Sequence, residues 1–463
     1  MNDRVIAHLL SRHDDILDWL THFLTIPSVS ADPAYAAGMQ QARELLVGRL
    51  GDIGLNEVQL LDGGGQAAVY GEWMGAPGKP TIIIYGHYDV QPADPLDQWI
   101  SPPFEPTIRD GCLYARGSSD VKGSTTIALE TVAAFLAVEG GCPINIKVFL
   151  EGEEETGSPS LRAIVNKYCS LLQADAVLSA DGGRASRVVP TINTGARGNN
   201  KLGFSVRTAA LDLHSGRYGG AVRNALHEMA TLVASLHDSQ GRVAVKDFDI
   251  DATPLTERQI ADTAAFPFDA AAFFSDVGAH SHGDPAYNTR EQLTLRPALD
   301  INGMWGGYTG PGSKTVVASE AHAKLSVRIV PGQDPARVIE AVRAHLKAHC
   351  PAGVTLSFQN IGGGSPASTL AADHPLVLGA EQVLHAETGQ RPIHVRLGAT
   401  VPITAIFKEM LGIDTLMFGF NLPDEPVHAP NEFFRIESIA KGLRAWPLLL
   451  RELAKYEPAD FHR

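Results

Sequence analysis

The sequence predicts an α/β protein in which one layered domain is interrupted by an inserted α+β domain. Strand and helix patterns alternate over residues 1–193, change character over 194–364 and resume over 365–463. Strands that alternate with helices of ten or more residues favour a mostly parallel sheet with helices on both faces. A chain of 463 residues is also longer than a domain with a single hydrophobic core usually is. We therefore expect a discontinuous α/β domain and one insert.

The first segment, 1–193, carries the clearest alternation. Its helix patterns cover residues 4–24, 36–53, 124–138 and 160–172. Its strand patterns cover residues 57–61, 67–73, 81–85, 144–150 and 176–179. The run Thr81-Ile82-Ile83-Ile84-Tyr85 has the length and β-branched composition of a strand that is buried on both faces.

The middle segment, 194–364, has a different pattern. Strand patterns at 201–207 and 323–330 accompany helix patterns at 224–236 and 335–349, which is typical of an antiparallel sheet backed by helices. Residues 249–312 are marked by Gly and Pro and are predicted to be irregular. The last segment, 365–463, returns to a helix, a strand and a long helix, at 376–387, 415–420 and 436–456.

Composition excludes several classes of function. A net charge of -14, from 38 Lys and Arg against 52 Asp and Glu, would repel a nucleic-acid backbone. The four cysteines are far apart and include no CxxC pair, so neither a thiolate zinc site nor a disulfide framework is expected, and a reducing cytoplasm fits. The first thirty residues resemble an amphipathic helix rather than a signal peptide, and no apolar run reaches the ~20 residues of a membrane span.

Acidic and imidazole side chains follow three of the predicted strands. His87 and Asp89 follow the strand at 81–85, the acidic run Glu151 to Glu155 follows the strand at 144–150, and Asp181 follows the strand at 176–179. In open α/β sheets ligands bind outside the carboxyl ends of the strands. Residues two apart in an extended chain share a face, so the Asp89 carboxylate is expected beside the His87 imidazole. A structural histidine and a solvated acidic loop are the alternatives, and the convergence of three sites on one edge favours a metal site instead.

Five ordered motifs resemble those of the co-catalytic di-metal exopeptidases and amidohydrolases, peptidase family twenty of the metallopeptidases. They span nearly the whole chain: Gly86 to Pro92, Tyr114 to Gly123, Glu151 to Ser158, Asp212 to Gly220 and His428 to Glu432. Within the family, the chain is most similar to the carnosinase-like dipeptidase branch. The similarity rests on the motifs His-Tyr-Asp-Val-Gln-Pro and His-Ser-Gly-x-Tyr-Gly-Gly and on an insert of roughly 170 residues, which is large enough for a domain.

This resemblance implies a centre of two divalent metal ions. His87 and Asp181 would bind one ion, Glu155 and His428 the other, and Asp120 would bridge both. Asp89 would support His87, and Glu154 would be the general base for a metal-bridging water. Mixed imidazole and carboxylate ligands suit zinc, with manganese or cobalt as alternatives.

Two departures from the family pattern affect this assignment. Glu153 makes three consecutive acids, so the base and the ligand could be displaced by one residue. Glu154 and Glu155 are preferred because they immediately precede Thr156-Gly157-Ser158, as the corresponding pair does in the family. Val121 stands where many relatives have a second acid, which could change the environment of Asp120.

The resemblance also implies roles for the insert. Residues 194–364 would form a lid and dimerisation domain between the two parts of the catalytic domain, 1–193 and 365–463. His214 would stabilise the oxyanion in the partner subunit of a homodimer. The terminal carboxylate of the substrate would be held by Arg328, Thr400, Thr315 and Gly398. Arginine suits a carboxylate because its guanidinium donates two parallel hydrogen bonds.

The implied activity is hydrolysis of peptide or amide bonds, by a dipeptidase or carboxypeptidase-like exopeptidase acting on small peptides. An N-acyl amino acid amidohydrolase, acting on acetyl, succinyl or carbamoyl derivatives, is the alternative within the family. A non-catalytic metal-binding protein is the alternative outside it, and the presence of Glu154 as a base disfavours it. Neither nucleic acid nor membrane is an expected partner.

Overall fold

A computed structural model describes residues 3–359, 361–362 and 364–462. The chain forms two compact units. The first comprises the residues up to Thr194, Leu370–Val395 and the residues from Pro402 onward, and the second comprises Gly195–Thr369 and Arg396–Val401. The segment Arg396–Val401, expected in the last part of the discontinuous domain, belongs to the second unit because Gly398 and Thr400 hydrogen-bond to residues of that unit.

The helices and strands are as follows. The α-helices are α1 (Arg4–Ser11), α2 (His13–Leu24), α3 (Ala36–Ile53), α4 (Gly123–Glu139), α5 (Leu161–Lys167), α6 (Ser215–Tyr218), α7 (Ala225–Ala234), α8 (Glu257–Ala265), α9 (Ala270–Asp276), α10 (Thr289–Thr294), α11 (Pro335–His349), α12 (Pro375–Thr388), α13 (Pro402–Leu411) and α14 (Ile436–Leu453). The strands are β1 (Asn56–Leu61), β2 (Ala68–Trp73), β3 (Thr81–His87), β4 (Thr107–Arg109), β5 (Cys112–Tyr114), β6 (Asn145–Glu151), β7 (Ala176–Ser179), β8 (Thr191–Ala196), β9 (Gly198–Arg207), β10 (Leu213–His214), β11 (Ala298–Gly306), β12 (Val316–Val317), β13 (Glu320–Ile329), β14 (Thr355–Gln359), β15 (Ser368–Thr369), β16 (Ile393–Leu397), β17 (Asp414–Met417) and β18 (Phe433–Arg435).

The first unit is built on a sheet with a parallel centre. Strands β6, β3, β7 and β17 run parallel in that order, β2 and β1 add antiparallel strands at one side, and β17 pairs with antiparallel β8 at the other. Parallel strands require crossover helices, which explains the alternation seen in the sequence. The predicted α/β fold class is therefore confirmed.

Helices cover both faces of this sheet. Ile82, Ile84 and Val148 point into the main core, which also contains residues of α1 to α4, α12 and α14. On the opposite face, the Phe149 ring packs edge-on against Phe407 of α13, with 5.8 Å between ring centroids. Because both faces are covered, β3 is buried from Ile82 to His87, as its apolar composition predicts.

Helix α4 is apolar on nearly all sides and crosses the main core. The segment Ser118–Glu139 is long and apolar enough to cross a membrane by length and composition, but most of it is buried inside the first unit. A helix that is hydrophobic all round is explained by such burial.

The second unit contains a four-stranded antiparallel sheet in the order β11-β13-β9-β14. Alternate residues of β9 and β13, such as Phe204 and Leu325, pack against apolar residues of α7 and α11. The opposite residues of each strand are polar or partly exposed, which is the period-two pattern of a sheet covered on one face.

Several elements differ from the sequence predictions. The helix predicted over 4–24 is two helices, because the backbone at Arg12 leaves the helical conformation. The region 249–312, predicted to be irregular, contains three short helices and the strand β11, and α8 and α10 start with capping boxes. Helix α13 was not predicted at all.

Candidate active site

The carboxyl ends of parallel strands bring the acidic and imidazole residues together. In the register of β3 and β6, His87 lies opposite Glu151, and Tyr85 lies opposite Ser179 of the neighbouring β7. The backbone N–H of Tyr88 donates to the Glu151 carbonyl over 2.8 Å, which holds the two chain segments side by side just beyond the strands. The loops that follow β3, β6 and β7 therefore leave the sheet at one edge.

Five side chains at this edge form two groups that share Asp120. Nε2 of His87 lies 3.2 Å from Oδ1 of Asp120 and 4.0 Å from Oδ2 of Asp181. Nε2 of His428 lies 2.8 Å from Oδ2 of Asp120 and 3.0 Å from Oε2 of Glu155. Within each group the donor atoms all lie within 4.8 Å of one another. One Asp120 oxygen thus faces each group, which is the arrangement of a bridging carboxylate.

The hydrogen bonding of His87 fits a metal ligand. Its side chain is fully buried, its Nδ1 lies 3.0 Å from the backbone carbonyl of Asp89, and its Nε2 has no hydrogen-bond partner among the described residues. A proton on Nδ1 would donate to that carbonyl and leave the Nε2 lone pair facing carboxylate oxygens, which cannot donate to it. A cation between them would satisfy both the lone pair and the carboxylates.

Negative charge accumulates at this edge. Burial, reinforced by the Asp120 charge, raises the pKa of Asp181 to about 6. Burial and the charges of Asp181 and Asp120, partly offset by His87, raise the pKa of Glu154 to about 8. Hydrogen bonds to Asp120 and Glu155 raise the pKa of His428 to about 10. This cluster of side chains therefore favours positive charge, which divalent cations would supply.

Asp89 contacts the site differently from the expected carboxylate–imidazole pair. Its carboxylate Oδ1 is 3.5 Å from Nδ1 of His87, farther than the backbone carbonyl of the same residue. The carboxylate instead accepts hydrogen bonds from the backbone N–H groups of Glu154 and Glu155, over 3.3 and 3.1 Å, and from the Ser30 hydroxyl over 2.7 Å. Asp89 therefore joins the turn after β3 to the acidic loop after β6.

The acidic run separates into residues with different surroundings. Glu151 is buried and accepts a hydrogen bond from the Tyr85 hydroxyl over 2.8 Å. Glu153 accepts from the backbone N–H groups of Gln66 and Ser160, over 2.9 and 3.1 Å. Glu155 belongs to the second group, and half-buried Glu154 lies in the electrostatic field of both groups. This geometry favours the register that assigns Glu154 and Glu155, rather than Glu153, to the site.

Glu432 also belongs to the site, although no role was predicted for it from the sequence. Its fully buried carboxylate accepts hydrogen bonds from the Arg116 guanidinium over 2.7 Å and from the backbone N–H groups of Gly117, Ser119 and Asp120, over 3.0, 2.9 and 3.0 Å. It therefore fixes the segment that carries Asp120. Its only sequence signal was its position at the end of the motif that begins with His428.

Three of the four predicted carboxylate-binding residues, Arg328, Thr400 and Gly398, lie around a pair of arginines in the second unit. The Arg328 guanidinium donates to the Thr400 hydroxyl over 3.1 Å, which donates to the Arg197 carbonyl over 2.8 Å. The Arg197 guanidinium donates to the Gly398 carbonyl over 2.9 Å. Burial and the neighbouring Arg328 charge lower the pKa of Arg197 to about 10. Arg197, which the sequence analysis did not single out, therefore adds positive charge beside Arg328.

His214 and Thr315 are neighbours elsewhere in the second unit. Strand β10, which ends at His214, pairs with β12, and the Ser215 N–H donates to the Thr315 carbonyl over 3.1 Å. The exposed His214 ring accepts a hydrogen bond at Nδ1 from the Gly216 N–H over 3.0 Å. A neutral imidazole that accepts at Nδ1 carries its proton on Nε2. His214 thus presents an N–H donor to its surroundings.

Several known proteins are similar to this chain over nearly its whole length. The chain is 28% identical over 479 residues to the human Beta-Ala-His dipeptidase, covering 98% of this chain and 93% of that protein. It is 26% identical over 457 residues to the Cys-Gly metallodipeptidase of Saccharomyces cerevisiae, covering 93% and 94%. A solved M20 family metallo-carboxypeptidase from Sulfolobus solfataricus superposes with a TM-score of 0.80 at 29% identity, covering 95% of this chain and 99% of that one. The model of peptidase family M20/M25/M40 matches residues 83–452, and the chain belongs to this family.

Proposed function

We propose that this protein is a metal-dependent dipeptidase that hydrolyses small peptides with a free C-terminal carboxylate. The observation that carries the proposal is the pair of ligand groups that share Asp120. The charges of both groups also act on the pKa of Glu154. Two relatives that match almost the whole length of the chain are named as dipeptidases, which supports the same activity.

His87, Asp120 and Asp181 would hold one divalent ion, and Asp120, Glu155 and His428 the other. When bound, two such ions would polarise the scissile carbonyl and make water a stronger nucleophile. Imidazole and carboxylate donors suit zinc, manganese or cobalt, and zinc is our proposed metal. The Asp89 carbonyl and carboxylate would hold the His87 ring and the Glu154-Glu155 backbone in place.

Glu154 would move the proton in this reaction. As a carboxylate it would accept a proton from the attacking water, and as a carboxylic acid it would return that proton to the leaving amine nitrogen. Burial raises the pKa of Glu154 to about 8, which places both protonation states within reach near neutral pH. A bound cation would favour the carboxylate, the form that is needed first.

The second unit would supply the groups that recognise the substrate. Arg328 and Thr400 would bind the terminal carboxylate, with Gly398 contributing, because two adjacent guanidinium groups favour an anion. Thr315, which lies beside His214, would contribute from there. His214 would donate from Nε2 to the oxyanion that develops on the scissile carbonyl. We further propose a homodimer in which each His214 serves the partner subunit.

The proposed location is the cytoplasm. The four cysteines Cys112, Cys142, Cys169 and Cys350 are all free thiols in the described structure, which suits a reducing compartment. The net charge of -14 argues against nucleic acid as a partner.

A substrate screen tests the proposal. With zinc or manganese added, dipeptides with a free C-terminus should be cleaved with a higher kcat/KM than N-acetyl, N-succinyl and N-carbamoyl amino acids. C-terminally amidated versions of the best dipeptides are the matched control and should be poor substrates, because they lack the carboxylate. Preferential cleavage of the N-acyl amino acids would assign the protein to the amidohydrolases, which could use the same arginine pair for their own carboxylate.

Metal removal provides a second test. Dialysis against a strong chelator should abolish activity and remove about two metal equivalents per chain, one for each ligand group. Re-addition of zinc or manganese should restore activity, and elemental analysis measures the stoichiometry. A fully active metal-free protein would contradict the proposal.

A further inference from the structure

A cavity of about 230 Å³ in the first unit is lined by none of the residues assigned above. Its charged lining residues are Arg184, Arg187, Arg435, Lys441, Glu387 and Glu437. Four cations and two carboxylates line the cavity itself, and the carboxylates Asp424 and Glu425 lie against two of the cations.

Most of these cations already have partners. Arg435 donates to Asp424 over 2.6 Å and to Glu425 over 3.0 Å. Lys441 pairs with Glu437 over 2.7 Å, and exposed Arg187 lies 3.9 Å from Asp424. Among the described residues, these contacts leave the Arg184 guanidinium as the cavity cation without a paired carboxylate.

Arg184 is held in place but not satisfied. Its guanidinium carbon lies 4.3 Å from the Phe420 ring centroid and 4.9 Å from that of Phe418, and its backbone N–H donates to the Asn421 carbonyl over 2.9 Å. Nη1 makes one long hydrogen bond of 3.5 Å to the Thr191 carbonyl, whereas the buried Nη2 has no hydrogen-bond partner among the described residues. The Glu387 charge acts on Arg184 without forming an ion pair with it. A guanidinium nitrogen that is buried without a partner is costly.

A second donor faces the same cavity. The Ser186 hydroxyl oxygen accepts hydrogen bonds from the backbone N–H groups of Val188 and Val189, each over 3.2 Å. Since the oxygen is used as an acceptor, its own O–H remains available to donate. Ser186 lines the cavity with Arg184, so a fixed guanidinium and a hydroxyl donor are present together.

We propose that this cavity binds a small oxyanion, a carboxylate or a phosphate, through Arg184 and Ser186, with Arg187 and Lys441 adding positive charge at its rim. The planar guanidinium matches the two oxygens of such a group. Because the aromatic rings hold Arg184 in place beforehand, binding loses little side-chain freedom. Phe420 and Leu384 also line the cavity and would contact an apolar substituent of the anion.

Isothermal titration of the metal-loaded protein with inorganic phosphate, and separately with propionate, tests this site. We expect saturable binding of at least one of them, and Arg184→Gln should weaken that binding by at least about tenfold. Arg187→Gln should weaken it by about twofold to fivefold, as for an exposed charge. Whichever anion binds identifies the source of the oxyanion.

The matched control is Arg162→Gln, which removes the same charge from an exposed ion pair with Glu409 in the same unit and should leave binding unchanged. If Arg184→Gln fails to fold, Arg187→Gln still tests the site, because Arg187 is exposed and its substitution should not affect folding. Absence of binding by both anions would overturn the proposal. So would binding that is unchanged in the arginine variants and disappears on metal removal, because the anion would then occupy the metal centre. The readout is anion affinity, so the result is independent of the proposed peptidase activity.

Discussion

The three consecutive acids Glu153, Glu154 and Glu155 show how neighbouring carboxylates acquire different tasks. Glu153 accepts hydrogen bonds from two backbone N–H groups, and the Glu155 carboxylate lies 3.0 Å from Nε2 of His428. Glu154 lies between them in sequence, and its raised pKa, caused first by burial, suits a group that gains and loses a proton. The chemistry of each residue therefore follows from its contacts rather than from its type.

Substitution of Glu154 should affect turnover, whereas substitution of Glu155 should affect metal binding. Glu154→Gln keeps the shape of the side chain but cannot accept a proton, so we expect turnover to fall by at least about 100-fold with metal content retained. Glu155→Gln should weaken metal binding at one group, because an amide oxygen is a poorer ligand than a carboxylate. Steady-state kinetics and elemental analysis of both variants measure this.

Glu153→Gln is the matched control for that pair. It changes the adjacent acid in the same way, yet its carboxylate binds backbone amides, so it should lower stability while metal content and the chemical step stay near wild type. Metal loss in Glu154→Gln together with retained metal in Glu155→Gln would show that the two roles are exchanged.

At the scale of elements, the segment that carries Asp120 depends on a residue far away in sequence. Glu432 binds three of its backbone N–H groups and also the Arg116 guanidinium, which is itself buried. Asp120 faces both ligand groups, so a small displacement of this segment would alter both at once. Glu432 is thus a positioning residue for the proposed metal centre.

Glu432→Ala should lower stability and metal affinity together. Removing the carboxylate leaves Arg116 as an unpaired buried charge, for which a loss of about 3–5 kcal/mol in the free energy of unfolding is expected. Denaturant unfolding measures the loss, and a metal titration measures the affinity. Glu409→Ala, which breaks only an exposed ion pair with Arg162, is the control and should cost less than about 1 kcal/mol. Wild-type metal affinity in a destabilised Glu432→Ala protein would reject the positioning role.

Much of the fold was predictable because its signals are local. The apolar run of β3 and the period-two pattern of β13 follow directly from burial on two faces or one. The capping boxes of α8 and α10 were also readable, as Thr256 and Gln259 or Asn288 and Glu291, but the glycines and prolines nearby outweighed them. The roles of Glu432 and Arg197 could not be predicted, because each depends on partners distant in sequence.

At the scale of the whole molecule, the two compact units carry different chemistry. The first unit holds the two ligand groups and the proposed base, and the second holds the arginine pair and His214. His214 is exposed, and its Nε2–H has the character of a donor because Nδ1 accepts from the Gly216 N–H. A donor to a developing oxyanion stabilises the transition state more than the bound substrate.

His214→Ala should therefore lower kcat with metal content unchanged, while His227→Ala, an exposed histidine on α7 of the same unit, should have wild-type kinetics.

Mixing inactive variants tests whether His214 acts in the partner subunit of the proposed homodimer. A heterodimer of His214→Ala and Glu154→Gln subunits would contain one site with an intact base and a histidine supplied by the other chain. Random exchange of equal amounts should then restore about a quarter of wild-type activity, since half of the dimers are mixed and each has one working site. A tag on one parent isolates the mixed dimers and verifies exchange. Mixed dimers that form and remain inactive would show that His214 does not act across the dimer, because a histidine serving its own chain leaves both sites of the heterodimer incomplete.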